Sequence, residues 1–336
     1  MKTLEEIESL CHASRPVELP RHSLEAPALW LRETFYPMGF PTELRTNFPE
    51  VVAQARALWS MFEMRFDTKP IRVDVHVVEG SSADCPPTPV PRIIEPLLVS
   101  VADVDNYSIA NLEQTKTQMT VSRAAVAQSA YLGYFFLGAA PLCHIASRFT
   151  TPIHAGCVAF HGKGLLLCGE SGAGKSSLSY ACARAGWTYT TDDASYLLNN
   201  GKGRLVTGNC HQVRFRPEAA ELFPEVEGRE VTPRAAGKPS IELPTAALTG
   251  MACAPTAQVD SLVFLNRRDP GPPELLPYSK DLARSYLRNV LFGPRETLAV
   301  QCAAIERLLT ARVFELRYSN LSWAVERLEA LARKGR

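Results

Sequence analysis

The chain has 336 residues, 46% of them hydrophobic and 21% charged, the proportions of an ordinary globular protein with ample core for one large domain or two smaller ones. Its 36 basic and 35 acidic residues leave a formal net charge of +1, so there is no electrostatic footprint for nucleic acid or an anionic membrane, and neither is expected as a partner. The nine cysteines show no C-x-x-C spacing, and the opening residues Met1 to Glu6 lack a signal peptide's apolar stretch; reduced thiols, no structural zinc and a cytoplasmic location are expected.

Residues 1–125 read as a smaller α+β module. A helical pattern covers 49–66, and β-like runs follow at 72–78, 96–101, 107–112 and 117–121, with a Ser- and Pro-rich loop over 80–87. The alternation Arg72-Val73-Asp74-Val75-His76-Val77 predicts a half-exposed strand with His76 facing solvent. Next comes an uncharged segment, 130–146, slightly short of the ~18–20 residues of a membrane-spanning helix and interrupted by Pro141 and His144. It is predicted to be a buried helix packed on the sheet of the second half.

The chemistry is concentrated after residue 150. Residues 153–160 form a short apolar β-like run, His161-Gly162-Lys163-Gly164 is a turn, and Leu165 to Cys168 is a second strand. Gly169-Glu170-Ser171-Gly172-Ala173-Gly174-Lys175-Ser176-Ser177 then satisfies every position of G-x-x-x-x-G-K-[ST] and opens a helical pattern, 178–184, closed by Gly186. In such a strand–loop–helix unit, backbone N–H groups and the helix N-terminus cradle phosphate oxygens. The lysine reaches the β- and γ-phosphates and the serine hydroxyl holds a metal ion. ATP and Mg²⁺ are therefore the expected ligands, with residues 169–177 the nucleotide cradle and Lys175 and Ser176 its reactive members.

A strand at 187–191 ends on two carboxylates, Asp192 and Asp193, the first 192 − 175 = 17 residues beyond Lys175. Ligands of open α/β sheets sit at the carboxyl ends of strands, so both acids are expected to face the phosphates. One carboxylate can support Mg²⁺ and the other can accept the proton of an attacking hydroxyl. His154, near the start of the hairpin, is a further candidate. Cations for the transferring phosphoryl group are sought at Arg214 and Arg216, which share one face of a β-like run, at Lys238, and at Arg267 and Arg268. Residues 266–277 read as a loop, and 279–336 as three helical patterns around a strand at 313–318.

Ile153-His154-Ala155-Gly156, the hairpin, Gly-Glu-Ser-Gly-Ala-Gly-Lys-Ser and the Asp192-Asp193 pair together resemble the catalytic domain of HPr kinase/phosphorylase, over about residues 140–200. That resemblance implies a phosphoenolpyruvate carboxykinase-like P-loop kinase core with a mixed sheet (126–336, its core 150–270) behind the N-terminal module. It also implies His154 beside the transferred phosphate, Asp192 as base and Asp193 as metal support, the order of the two acids being reversible. Ser177 stands where that family has Glu, and no L-E-x-R-G-x-G segment follows Asp193, so a forward-only kinase acting on something other than HPr is expected. The implied activity is ATP-dependent phosphorylation of a serine-type hydroxyl on a peptide, protein or small molecule, with homo-oligomerisation left open. The alternatives are a shikimate- or gluconate-type metabolite kinase and a non-catalytic nucleotide-binding regulator.

Overall fold

In the computed structural model, which describes residues 28–201, 203–231, 239–267 and 271–334, the chain is a mixed α/β protein whose described residues form two large mixed sheets. The first contains β1 (Leu31–Phe35), β2 (Thr42–Thr46), β3 (Ile71–Val78), β4 (Val90–Ile94), β5 (Leu97–Val101), β6 (Tyr107–Asn111) and β7 (Lys116–Ser122), in the order β1-β2-β3-β7-β6-β5-β4. Helix α1 (Pro49–Trp59) links the parallel neighbours β2 and β3 and buries Val51, Val52, Ala55 and Trp59, one face of a helical repeat. It stops short of the expected residue 66 because Gly39 O captures the amides of Arg65 and Phe66 at 3.0 and 3.1 Å. The strand β3 is central rather than half-exposed. Its Asp74 is buried and is met by Arg45 at 2.7 Å, Arg72 at 3.2 Å and Lys116 at 3.8 Å, and His76 is half-buried.

After the short helix α2 (Arg123–Ala127), the apolar segment becomes helix α3 (Ser129–Phe149), 21 residues long and largely buried. By length and composition it could cross a bilayer, so the shortness inferred from the sequence does not hold; wide turns at Gly133–Leu137 and Ile145–Phe149 carry the helix past Pro141. Its partner also differs from expectation. Tyr131, Leu132, Phe136, Leu137, Ala140 and Ile145 share a core with Val73, Val75, Met119 and Val121 on the first sheet, which Leu198 from the second sheet also joins. His144, fully buried, bonds through Nε2 to the Thr117 hydroxyl at 2.8 Å and so pins α3 to β7.

The second sheet contains β8 (Thr150–Ile153), β9 (Ala155–Phe160), β10 (Lys163–Cys168), β11 (Thr188–Thr191), β12 (Ser195–Leu198) and β13 (Leu205–Gly208). The strands β14 (Gln212–Phe215) and β15 (Ile241–Pro244) pair as a separate ribbon. The long β16 (Thr256–Arg267), β17 (Glu274–Pro277) and β18 (Arg312–Tyr318) complete the sheet. β10, β16 and β18 are parallel neighbours, whereas β9 is antiparallel to both β10 and β11. β10 and β11 therefore run the same way with β9 between them, and their carboxyl ends lie at one edge. The expected loop 266–277 is partly strand, because β17 pairs with β18.

Helix α4 (Lys175–Arg184) and the β14–β15 ribbon cover one face of this sheet. Helices α5 (Lys280–Arg288) and α6 (Arg295–Leu308) cover the other, and α7 (Leu321–Arg333) joins α4 on the first. With both faces covered, β9 and β10 are continuous apolar runs buried almost throughout, each large side chain contributing about 1.5–3 kcal/mol.

Burial pushes the His144 imidazole down to about 4 from its ordinary 6.5. The unfolded chain thus binds a proton that the folded chain refuses between those values. Stability is full above the unfolded value and falls as pH drops toward 4, by up to about 3 kcal/mol. Urea titrations at pH 7.5 and 4.5 are expected to show this extra acid sensitivity in the wild type and its loss in His144→Gln; equal pH dependence in the two proteins would contradict it.

Candidate active site

The loop Gly169–Gly174 leaves the carboxyl end of β10 and turns directly into α4, closed by Ala173 N–H to Glu170 O at 3.1 Å. Gly174 supplies the left-handed conformation (φ +95°) that this turn requires, and a Cβ there would lie 2.5 Å from the Tyr318 hydroxyl. The same hydroxyl donates to Ala173 O at 3.1 Å and supports the loop from β18. The first-turn amides of α4 have no acceptors within their own helix, so they open toward whatever occupies the loop.

Lys175 folds back beneath the loop. Its Nζ donates to Gly169 O at 2.7 Å and Glu170 O at 3.3 Å and lies 3.8 Å from Asp193 Oδ1. The residue is 6% exposed, and burial holds its ammonium below the usual lysine range.

The two acids diverge, as successive residues at a strand end must. Asp192 is buried. It accepts from the Tyr189 hydroxyl at 3.2 Å and from Arg214 N–H at 3.1 Å. Burial outweighs these donors and raises its carboxyl above the usual range. Asp193 is largely exposed and accepts from His154 Nε2 at 3.2 Å, and this bond lowers its carboxyl below the usual range. His154 sits in the break between β8 and β9, which the sequence had read as one strand; β8 pairs with β12, and β9 with β10 and β11. The break is what turns its ring toward Asp193.

Among the expected site residues, Lys175 and His154 meet Asp193 at one sheet edge, and Asp192 with Arg214 forms a second cluster beside them. Among the cation candidates, Arg216 reaches the loop, its Nη2 3.3 Å from Ser171 Oγ, whereas Arg214 Nε is taken by Glu242 at 3.2 Å. Arg267 ends β16 on the exposed side, and Lys238 and Arg268 lie outside the described residues. Three tyrosines were not anticipated. Tyr189, Tyr286 and Tyr318 support the acids and the loop through their hydroxyls, and only Tyr189, three residues before Asp192, carried a sequence signal of proximity.

No protein-family model matches this chain, and no curated protein matches it. Among solved structures it is similar to the Hpr(Ser) kinase/phosphatase from Coxiella burnetii, at 17% identity over 55% of this chain and 96% of that one, with a TM-score of 0.31. A likeness of that size assigns neither a family nor an activity.

Gly156 is where the site depends most closely on packing. A Cβ on it would lie 2.5 Å from Ser179 Oγ and 2.9 Å from Asp192 O, so Gly156→Ala must move either α4 or the backbone of the acid pair. The substitution is expected to cost about 1–3 kcal/mol in urea unfolding. Gly271→Ala, which meets nothing within 4 Å, should be neutral. Equal stability of the two variants would show that the close approach is not a constraint.

Proposed function

We propose that the protein is an ATP-dependent kinase that transfers the γ-phosphoryl group to a hydroxyl of a peptide, protein or small molecule. The observation that carries this reading is that Asp193 lies 3.2 Å from His154 and 3.8 Å from Lys175 beside a complete glycine-rich loop, with Asp192 buried next to it. Phosphoryl transfer asks for a cation at the phosphates, a metal position and a base for the acceptor, and these two clusters supply the three.

The Ser176 hydroxyl and the Asp192 carboxylate suit a Mg²⁺ ion. They are two hard oxygen donors, and Mg²⁺ keeps most of its coordination for water and phosphate. When bound, the ion would neutralise charge on the phosphate oxygens. Asp192, buried beside the start of α4, is assigned to metal support. Asp193, exposed and held ionised by His154, is placed to take the acceptor's proton. This reverses the order expected from the sequence, because burial decides which carboxylate an incoming hydroxyl can reach.

In the reaction the acceptor oxygen forms a bond to the γ-phosphorus as the bond to the β-phosphate oxygen breaks, and ADP leaves. Asp193 receives the acceptor's proton. Lys175 leaves the loop carbonyls to neutralise the β- and γ-phosphates, and the Arg216 guanidinium adds charge at the loop mouth.

Calorimetry with Mg²⁺·ATP and a coupled assay of ADP release, in water and with hydroxyl-bearing peptides, test this reading. Lys175→Ala is expected to lower turnover by at least about 10²-fold. Asp193→Asn should leave ATP binding nearly intact and lower turnover about 10²–10⁴-fold, while Asp192→Asn should raise the Mg²⁺ concentration needed for half-maximal rate. A folded wild-type protein that binds no ATP would overturn the proposal.

A further inference from the structure

Tyr286 lies on α5, 117 residues beyond the loop and 132 beyond the hairpin, yet its hydroxyl touches both. It accepts from Gly169 N–H at 3.0 Å, and its single proton faces two carbonyl oxygens at 2.8 Å, those of Gly169 and His154. Gly169 O is also the closest acceptor of the Lys175 ammonium. One phenol oxygen therefore joins the residue that begins the loop, the carbonyl that holds the lysine and the backbone that aims the histidine. The ring lies nearly parallel to the His154 imidazole, 14° between planes and 6.4 Å between centroids, and meets Phe264 edge-on at 5.3 Å.

The position of this hydroxyl is set from outside the loop. Ser279 caps α5 by accepting from Leu282 N–H, and Ala283 and Leu287 bury its inner face. Arg284 is held by Glu306 of α6 at 2.7 and 3.0 Å. The loop and the strand break are both irregular backbone with no ladder hydrogen bonds between them; β10 pairs with β9 only up to Cys168 opposite Ala155, one residue short of each. Tyr286 bridges the two just beyond that last pair.

We propose that Tyr286 is a positioning residue that sets the separation between His154 and the phosphate loop, and so the geometry at which Asp193 and Lys175 face the transferring phosphoryl group. It acts through His154 and Gly169 and does not itself touch substrate. The kinetic consequence rests on the kinase reading; the structural tie does not.

Tyr286→Phe removes the hydroxyl and keeps the ring. Hydrogen–deuterium exchange is expected to rise in peptides covering 153–156 and 169–175 and to stay unchanged in α1. In the ADP-release assay, the Kd for ATP should remain within about 3-fold while kcat falls about 10–100-fold, the scale of a small misplacement at a reacting centre. Adding Tyr286→Phe to His154→Ala should lower kcat by a smaller factor than Tyr286→Phe does alone, because the share of its effect carried by the imidazole is already gone. Tyr286→Leu, which also removes the ring, should match Tyr286→Phe in kcat and differ only by a lower Tm. Wild-type exchange and wild-type kcat in Tyr286→Phe would overturn the proposal, as would fully multiplicative losses in the double variant. Should the wild type neither bind nor turn over ATP, the kinase reading fails, and the exchange measurement alone decides the tie.

Discussion

A lysine ammonium taken out of water has to be surrounded by acceptors, because an isolated buried charge costs more than folding can supply. Lys175 is 6% exposed, and the loop around it is shaped by that demand. Gly169 O and Glu170 O turn inward to accept from Nζ, which is open to them because the loop curls back over the start of α4. The left-handed Gly174 makes that curl, and the Tyr318 hydroxyl fills the space that its missing side chain leaves. Asp193 completes the shell at 3.8 Å. Burial still pulls the ammonium below its usual range.

The same economy governs the acids. Two carboxylates side by side repel, and the chain separates them by burying one and exposing the other. Asp192 accepts from two elements, Tyr189 on β11 and Arg214 on β14, so the ribbon is held to the sheet edge by this carboxylate. Asp193 is left with His154 at 3.2 Å and Lys175 at 3.8 Å.

The first sheet is joined to this arrangement by packing rather than by chemistry. Its helix α3 places Ala146 O against the buried Gln301 of α6 at 2.9 Å, and Leu198 of β12 belongs to the first sheet's core. Phe62 meets His211 edge-on at 5.0 Å, at the start of the ribbon that carries Arg214. The covering of the site's outer elements is therefore shared between the two halves.

Local signals were legible wherever chemistry demands adjacent residues. A phosphate loop needs its glycines, lysine and serine within nine positions; a two-residue hairpin needs His161-Gly162; a strand followed by two acids needs nothing beyond its own span. These elements, and the three helices around β18, could be read from the chain because their causes are local. What could not be read depends on distant segments. The alternation in β3 says one face is polar, but only Arg45 and Lys116 from neighbouring strands make that face a buried one. Helix α3 is apolar enough for several partners, and the Thr117–His144 bond selects the first sheet. Arg214 and Arg216 look equivalent in sequence until Glu242 takes the first and leaves the second at the loop. The sequence by itself determined which groups the site contains, since their spacing is imposed by backbone geometry. Which acid is buried, where His154 points and which tyrosines hold the loop were decided by the tertiary structure, because burial and hydrogen-bond supply come from residues far apart in the chain.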